Sequence, residues 1–294
     1  MDRLEKSDRH MVKTFFPVQA PAMASEQIAA PGNPIVEYAA ALWERRFFCM
    51  SLVRHDLRSR YSRTSLGLIW SMLQPIAMTA VLCTVFSQLF QIEVRDYGPF
   101  LLVGLAFWGF ITTCCLSGCT SLTQAETYIR QYPAPMLLYT LRTTLVASYH
   151  FMVMLGLSIA LCCLLRGSLP FKMLPLIIPA LMTIFLVGLS LCTICAIANA
   201  YFPDMQHLLD VGLQIIFYLT PIIYPATMME QRGMGWLMEY NPFASLLIFL
   251  RDPIVAGSAP PMRAVLFALL SATILATVAS YALSRVQKTL VMRL

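Results

Sequence analysis

Charge is scarce in this chain. Asp, Glu, Lys and Arg make up 12% of its 294 residues, about half the share found in an ordinary soluble domain. Hydrophobic residues make up 58%, which leaves too few polar side chains to cover a water-facing surface, so a soluble fold is excluded. Catalytic signatures are missing too. No HExxH, GxSxG or phosphate-binding GxxxxGK[ST] occurs, so the chain carries no signature of a metalloprotease, a nucleophile-elbow hydrolase or a P-loop ATPase. No paired acidic residues fall mid-membrane, and the two halves show no evident repeat, unlike many ion-coupled carriers. Anything this protein moves uphill must draw its energy from another polypeptide.

Two further absences narrow the field. Residues 1–34 alternate charge with Ala and Pro and hold no apolar h-region, so a flexible cytoplasmic tail is expected there and not a signal peptide. No basic patch interleaved with aromatics appears outside the membrane-flanking cluster, and no nucleic-acid partner is expected. Nine cysteines are present, but eight lie inside apolar runs and Cys49 in an amphipathic stretch. Cys192-Thr-Ile-Cys195 has redox spacing, yet a thiolate is destabilised in hydrocarbon. The cysteines read as small helix-packing residues, and no metal site is expected.

What the chain does have is long apolar runs. About 20 apolar residues in helical form cross about 30 Å of hydrocarbon. Leu66–Phe90, Phe100–Leu122, Thr143–Leu165, Met173–Ala200 and Val265–Leu283 are long enough, and Leu208–Tyr224, though shorter, is counted as a sixth span. Pro175 and Pro179 predict a kink or late start in the fourth. Six spans put both ends on one side. With the ends inside, fifteen of the 21 Lys and Arg face the cytoplasm and six (Arg95, Arg166, Lys172, Arg232, Arg251, Arg263) face out, so both termini are expected to be cytoplasmic. The expected organisation is a tail (1–34), an amphipathic interfacial helix (35–63) and a six-span all-α permease domain (64–294).

Arg58, Arg60 and Arg63 stop abruptly before the apolar run, with Gly67, Trp70 and Pro75 just inside it. Guanidinium groups are costly in hydrocarbon, so Arg63 marks the membrane threshold. Before it, Trp43, Phe47, Met50, Leu57 and Tyr61 share one helical face, interrupted by Arg54, while Arg45, His55 and Asp56 point elsewhere. A lipid-surface anchor and a docking surface for a cytoplasmic partner fit this pattern equally.

Three loops carry constellations. Glu126, Arg130 and Tyr132 make a short polar helix stopped by Pro133 and Pro135; it is either a solvated connector or a stiff element able to carry a push. Phe217-Tyr-Leu-Thr-Pro-Ile-Ile-Tyr-Pro225 is either an aromatic belt or a broken helix lining a pathway. After it, 226–261 is patchily apolar, and short re-entrant helices are expected on either side of Asn241-Pro242. Asp204 reads as the N-cap of the next helix and not as an acid–base partner of His207. His150, within the third span, is either functional or a neutral imidazole bonded to a neighbouring helix.

Arg60-Tyr-Ser-Arg-Thr-Ser-Leu-Gly-Leu-Ile-Trp-Ser-Met-Leu-Gln-Pro75 resembles the first-span signature of ABC-2 type permeases that export polysaccharides and polyol phosphates. Asp96–Trp108 is similar to the start of that family's second span, and Ile129-Arg-Gln-Tyr-Pro-Ala-Pro135 to its cytoplasmic loop. Tyr218–Pro225 and Asn241-Pro-Phe with Arg251 resemble its fifth span and re-entrant region. The likeness runs from about residue 36 to 290 and is greatest for O-antigen and teichoic-acid exporters. One departure is Pro203, which stands where the family usually has a basic residue.

The resemblance implies a homodimeric permease in a bacterial inner membrane, driven by two copies of a separate ATPase. ATP and Mg would bind that partner, and no cofactor would bind this chain. It implies ATPase docking through Trp43, Arg46, Arg54, Glu126, Tyr128, Arg130, Tyr132 and Pro133. It also implies a gate or path formed by Phe217, Tyr218, Pro221, Tyr224 and Trp236, and a lipid-linked glycan as cargo. The rival expectations are an ABC-2 permease for a drug or lipid, and a membrane glycosyl- or acyltransferase.

Overall fold

The computed structural model describes residues 34–61, 68–131, 134–166, 171–231, 233 and 235–293. Expectations for 1–33, Arg63, Gly67, Tyr132 and Pro133 lie outside the described residues, as do the side chains of Arg60, Trp70 and Arg130. The described residues are predominantly helical, with no strand among them. In order they form α1 (Pro34–Glu44), α2 (Arg46–Tyr61), α3 (Leu68–Phe90), α4 (Val94–Ser121), α5 (Glu126–Gln131) and α6 (Leu137–Arg166). These are followed by α7 (Ile177–Tyr201), α8 (Met205–Leu219), α9 (Ala226–Gln231), α10 (Gly235–Glu239), α11 (Pro242–Arg251) and α12 (Met262–Arg293). The described residues fall into two units, divided between Ala41 and Leu42. All that follows concerns the second.

Five helices, α3, α4, α6, α7 and α12, hold segments long and apolar enough to cross a membrane. In α4 and α7, 61% of the apolar stretch is buried within the chain, against 17% in α3 and 22% in α12. The first two are therefore the central pair, and the other two present apolar surface outward. α4 packs against α6 and α7, and α12 covers the far side of α7. Val103, Phe107, Ile111, Cys114, Ile184, Val187 and Cys192 form the middle of the core.

Small residues let the central pair approach closely, as is usual where lipid offers no hydrophobic drive between helices. A Cβ on Gly118 of α4 would lie 2.9 Å from both the Cα and the carbonyl oxygen of Cys192 on α7. All nine cysteines are free, and all but Cys163 are buried, which fits the packing role expected of them. Gly118→Ala is expected to destabilise the fold by about 1–3 kcal/mol, because backbone and not a flexible side chain must give way. Thermal melting in detergent measures this, and an unchanged midpoint would contradict the close approach.

Three local expectations change. The fourth span starts late, at Ile177, after a 3₁₀ turn over Phe171–Leu176 that contains Pro175; Pro179 then sits in the first turn of α7, where a missing N–H costs little. The helix expected over 35–63 is broken at Arg45, where the Arg46 guanidinium folds back to donate to the Trp43 carbonyl at 2.9 Å. Asp204 does precede α8 but makes no side-chain cap; its backbone carbonyl accepts from the His207 and Leu208 amides at 3.1 and 3.2 Å.

The sixth expected span, Leu208–Tyr224, takes a different form. α8 has 15 residues and is about 22 Å long, short of the hydrocarbon thickness. It stops at Leu219, and 220–225 is not helical. Pro221 and Pro225 supply no backbone N–H to continue it.

Candidate functional site

An open groove of about 700 Å³ runs between α3, α4, α6 and α8. Its walls are largely apolar, and one polar side chain or more projects into it from each of the four helices: Gln74, Thr113, His150, and Asp210 with Gln214. Pro75 of the threshold motif lies on its α3 wall, within the helix, where its carbonyl accepts from the Thr79 hydroxyl at 2.7 Å. One end carries a run of rings. Trp108 stands 5.8 Å from Phe217 and 5.8 Å from Phe243, and Phe217 stands 5.3 Å from Tyr218. Trp108, Phe217 and Tyr218 all line the groove, and Tyr218 is 61% exposed.

Of the residues expected at a gate, the structure therefore places Phe217 and Tyr218 on the groove wall. Pro221, Tyr224 and Trp236 are not among its lining residues. Trp236 is exposed on α10. The Tyr224 hydroxyl instead donates to the Tyr218 carbonyl at 2.9 Å, so its described contact is to the end of α8.

That tie belongs to a larger arrangement. Where α8 breaks, its last four carbonyls lose their helical partners, and those of the unwound segment have none to begin with. Eight consecutive carbonyls, 216 to 223, nevertheless each accept a bond. Ile216 accepts from the Thr220 hydroxyl (2.8 Å), Phe217 from the Thr220 amide (3.3 Å), Tyr218 from Tyr224, and Leu219 from the Asn241 side-chain amide (3.3 Å). Thr220 accepts from the Ile222 amide (2.7 Å), Pro221 and Ile222 from the Arg251 guanidinium (2.8 and 3.3 Å), and Ile223 from the Tyr97 hydroxyl (2.6 Å). Irregular backbone away from water must find partners in the protein, and here the segment itself, α4, and α11 with its cap supply them.

Arg251 is the centre of this latch. It sits at the end of α11, 6% exposed, with its guanidinium carbon 3.7 Å above the Phe100 ring. α11 starts where Asn241 caps it, the side-chain oxygen accepting from the amides of Phe243 (2.9 Å) and Ala244 (3.4 Å). Asn241-Pro242 thus begins a helix, consistent with the expected punctuation of that region. α4 makes room by having Gly104 opposite: a Cβ there would lie 2.5 Å from Arg251 Nη2. Burial lowers the Arg251 pKa to about 9, partly offset by the Asp252 carboxylate and the Tyr97 hydroxyl beside it, so the group is charged at neutral pH. Burial raises the pKa of Asp252, and the adjacent guanidinium pulls it back.

A second constellation lies on α2 and the last turn of α1. Cys49, Leu52 and Val53 are buried, and α2 packs on α6. On the opposite side Trp43, Phe47 and Met50 are 54–73% exposed. Arg46 lies over both rings there, 4.7 Å from Trp43 and 4.5 Å from Phe47, and Arg54 and Arg58 are exposed. The structure thus brings Trp43 and Arg46 together. Asp56 does not simply face water: its carboxylate forms a two-pronged ion pair with the Arg142 guanidinium of α6. Tyr128 is 37% exposed on α5, whose first turn carries Glu126.

The fold and groove define a multi-pass, all-α membrane protein whose described residues show no metal-binding cluster. Residues 48–255 match the ABC-2 type transporter family, and the chain belongs to it. It is a transport subunit and not an enzyme, and its family implies an ATPase partner. A permease from Klebsiella pneumoniae, O-antigen export system permease protein RfbA, is 25% identical over 210 residues, covering 70% of this chain and 80% of that one. A protein of the same name from Myxococcus xanthus is 24% identical over 220 residues, covering 72% and 82%.

Proposed function

We propose that this chain is the membrane half of an exporter that carries a lipid-linked, O-antigen-like polysaccharide out across a bacterial inner membrane. The observation that carries the proposal is the groove. Its largely apolar walls carry polar side chains from all four helices, able to bond sugar hydroxyls, and the rings of Trp108, Phe217 and Tyr218 offer flat faces to the C–H faces of sugars. The names of the two relatives support the same cargo.

Two copies close the path. α8 leaves Leu208, Val211, Ile215 and Tyr218 exposed beside the open groove, and a second protomer covers them. α8 with the unwound 220–225 segment makes the sixth crossing, and the short helices α9–α11 dip into the outer leaflet. Both termini are cytoplasmic, following the distribution of Lys and Arg. Two ATPase copies bind ATP and Mg below, pressing on the end of α1 (Trp43), on α2 (Arg46, Arg54) and on the α5 loop (Glu126, Tyr128, Arg130, Tyr132, Pro133). Their stroke widens the dimer, and the glycan enters from the cytoplasmic side.

Deleting the protein is expected to trap lipid-linked glycan inside the cell, and an ABC ATPase is expected to co-purify with it in gentle detergent. If no ATPase co-purifies, or the glycan reaches the surface unchanged, the proposal fails. Tyr218→Ala is expected to slow export about tenfold, within the range for loss of one aromatic contact, with export assayed as surface glycan. Unaltered export would remove Tyr218 from the path.

A further inference from the structure

We infer that Asp210 is a charge filter in the groove, admitting uncharged glycan chain and holding back phosphodiester-linked polyol chain. The inference rests on the export function proposed above and names the cargo class. Asp210 and Gln214 are four residues apart on α8, hence on one helical face, and both project into the groove. No Lys or Arg is among the described residues that line it, so Asp210 carries its fixed charge, and His150 is its only other ionisable group of neutral-pH relevance. Among the described residues Asp210 has neither ion-pair nor hydrogen-bond partner, so its carboxylate faces whatever occupies the space.

The position on α8 gives this charge its role. Asp210 follows the start of the helix at Met205 by little more than one turn, while Trp108, Phe217 and Tyr218 lie towards the other end. With the termini cytoplasmic, cargo meets the carboxylate first and the rings afterwards. Sugar hydroxyls donate to a carboxylate and bond with Gln74 and Gln214 in either sense. A phosphodiester offers acceptors only and brings one negative charge per repeat up to the exposed Asp210 carboxylate, which repels it. Two copies facing each other would double the effect.

The test uses proteoliposomes holding the full chain with its partner ATPase. Two cargoes of matched length are supplied on the same lipid diphosphate, a neutral oligosaccharide and an oligo(glycerol phosphate), so the carrier's own charge is constant. ATP-dependent transfer is read for each. Wild type is expected to favour the neutral chain at least about tenfold. Asp210→Asn is expected to bring the two within about threefold by speeding the phosphate chain, and Asp210→Glu to keep the preference. Equal transfer of both cargoes by wild type, or a preference unmoved by Asp210→Asn, overturns the filter while leaving the export function standing. Transfer of neither cargo overturns both.

Discussion

Arg251→Ala is expected to unlatch the broken end of α8. Two carbonyls, those of Pro221 and Ile222, lose their donors at once. An unsatisfied buried carbonyl costs about 1–3 kcal/mol, so the loss is about 2–6 kcal/mol before packing over Phe100 is counted. The melting temperature in detergent should fall by at least about 5 °C, and export should be lost. Arg251→Lys keeps a charge but lacks the fork that reaches both carbonyls, so it should recover only part of the loss. Tyr97→Phe removes one hydroxyl donor, to Ile223, and should cost least, about 1 kcal/mol or somewhat more. Gly104→Ala should resemble Arg251→Lys, because its methyl would occupy the space of Nη2. A variant series without this ordering, or Arg251→Ala melting like wild type, would contradict the latch.

Asp56→Ala is expected to separate ATP hydrolysis from export. The Asp56–Arg142 ion pair is a charged link from α2 to α6, two-pronged and partly shielded, with side-chain exposures of 27% and 13%. Such charge-assisted pairs hold geometry as well as energy. Breaking it leaves Arg142 largely enclosed without its partner, at a cost of about 1–3 kcal/mol once the remaining exposure is allowed for. The larger effect is mechanical. A push on α2 then reaches α6 without this charged tie, through contacts such as those of Cys49, Leu52 and Val53 and the Cys49 thiol's bond to the Leu138 carbonyl. Export per ATP should fall about tenfold or more, corresponding to a coupling loss of about 1.4 kcal/mol. Asp56→Arg combined with Arg142→Asp should regain a large part of it. Single and reversed variants that export equally would show that the pair carries no force.

These two features show what the sequence could and could not reveal. Hydropathy located the long helices because each is a local property of about 20 residues. The arginines before Leu66 and the motifs shared with ABC-2 permeases were likewise contiguous and legible. The latch was not. Arg251 lies some thirty residues from the carbonyls it holds, and Tyr97 lies 126 from Ile223; no periodicity links them. In the sequence Arg251 reads only as a motif residue and an outward-facing charge. Asp56 and Arg142 are 86 apart, and a helical wheel of α2 alone assigns Asp56 away from the apolar face without saying what it meets. One signal was available: a lone Arg following an apolar stretch, Phe243–Leu250, next to two prolines that free carbonyls. A charge there needs partners, and freed carbonyls need donors.

Tyr224 illustrates the same limit. Its place in an aromatic-proline cluster matched a gate, but its hydroxyl satisfies the end of α8. Trp108, which closes the second-span motif, lines the groove, whereas Trp236 is not among its lining residues. Aromatic residues announce themselves by composition, whereas which of them face a groove depends on how α4 and α8 meet.

The central claim is that this chain is a passive path whose cargo moves only when a separate ATPase drives it. Reconstituting the full chain and its ATPase in liposomes, with lipid-linked neutral glycan on one face, tests this most directly. The measured quantity is the fraction of glycan that becomes accessible on the opposite face. The account predicts accumulation there with ATP and Mg, none with this chain alone, and none when the ATPase cannot hydrolyse. Glycan crossing at the same rate without the ATPase, or no crossing with both subunits and ATP present, would contradict it.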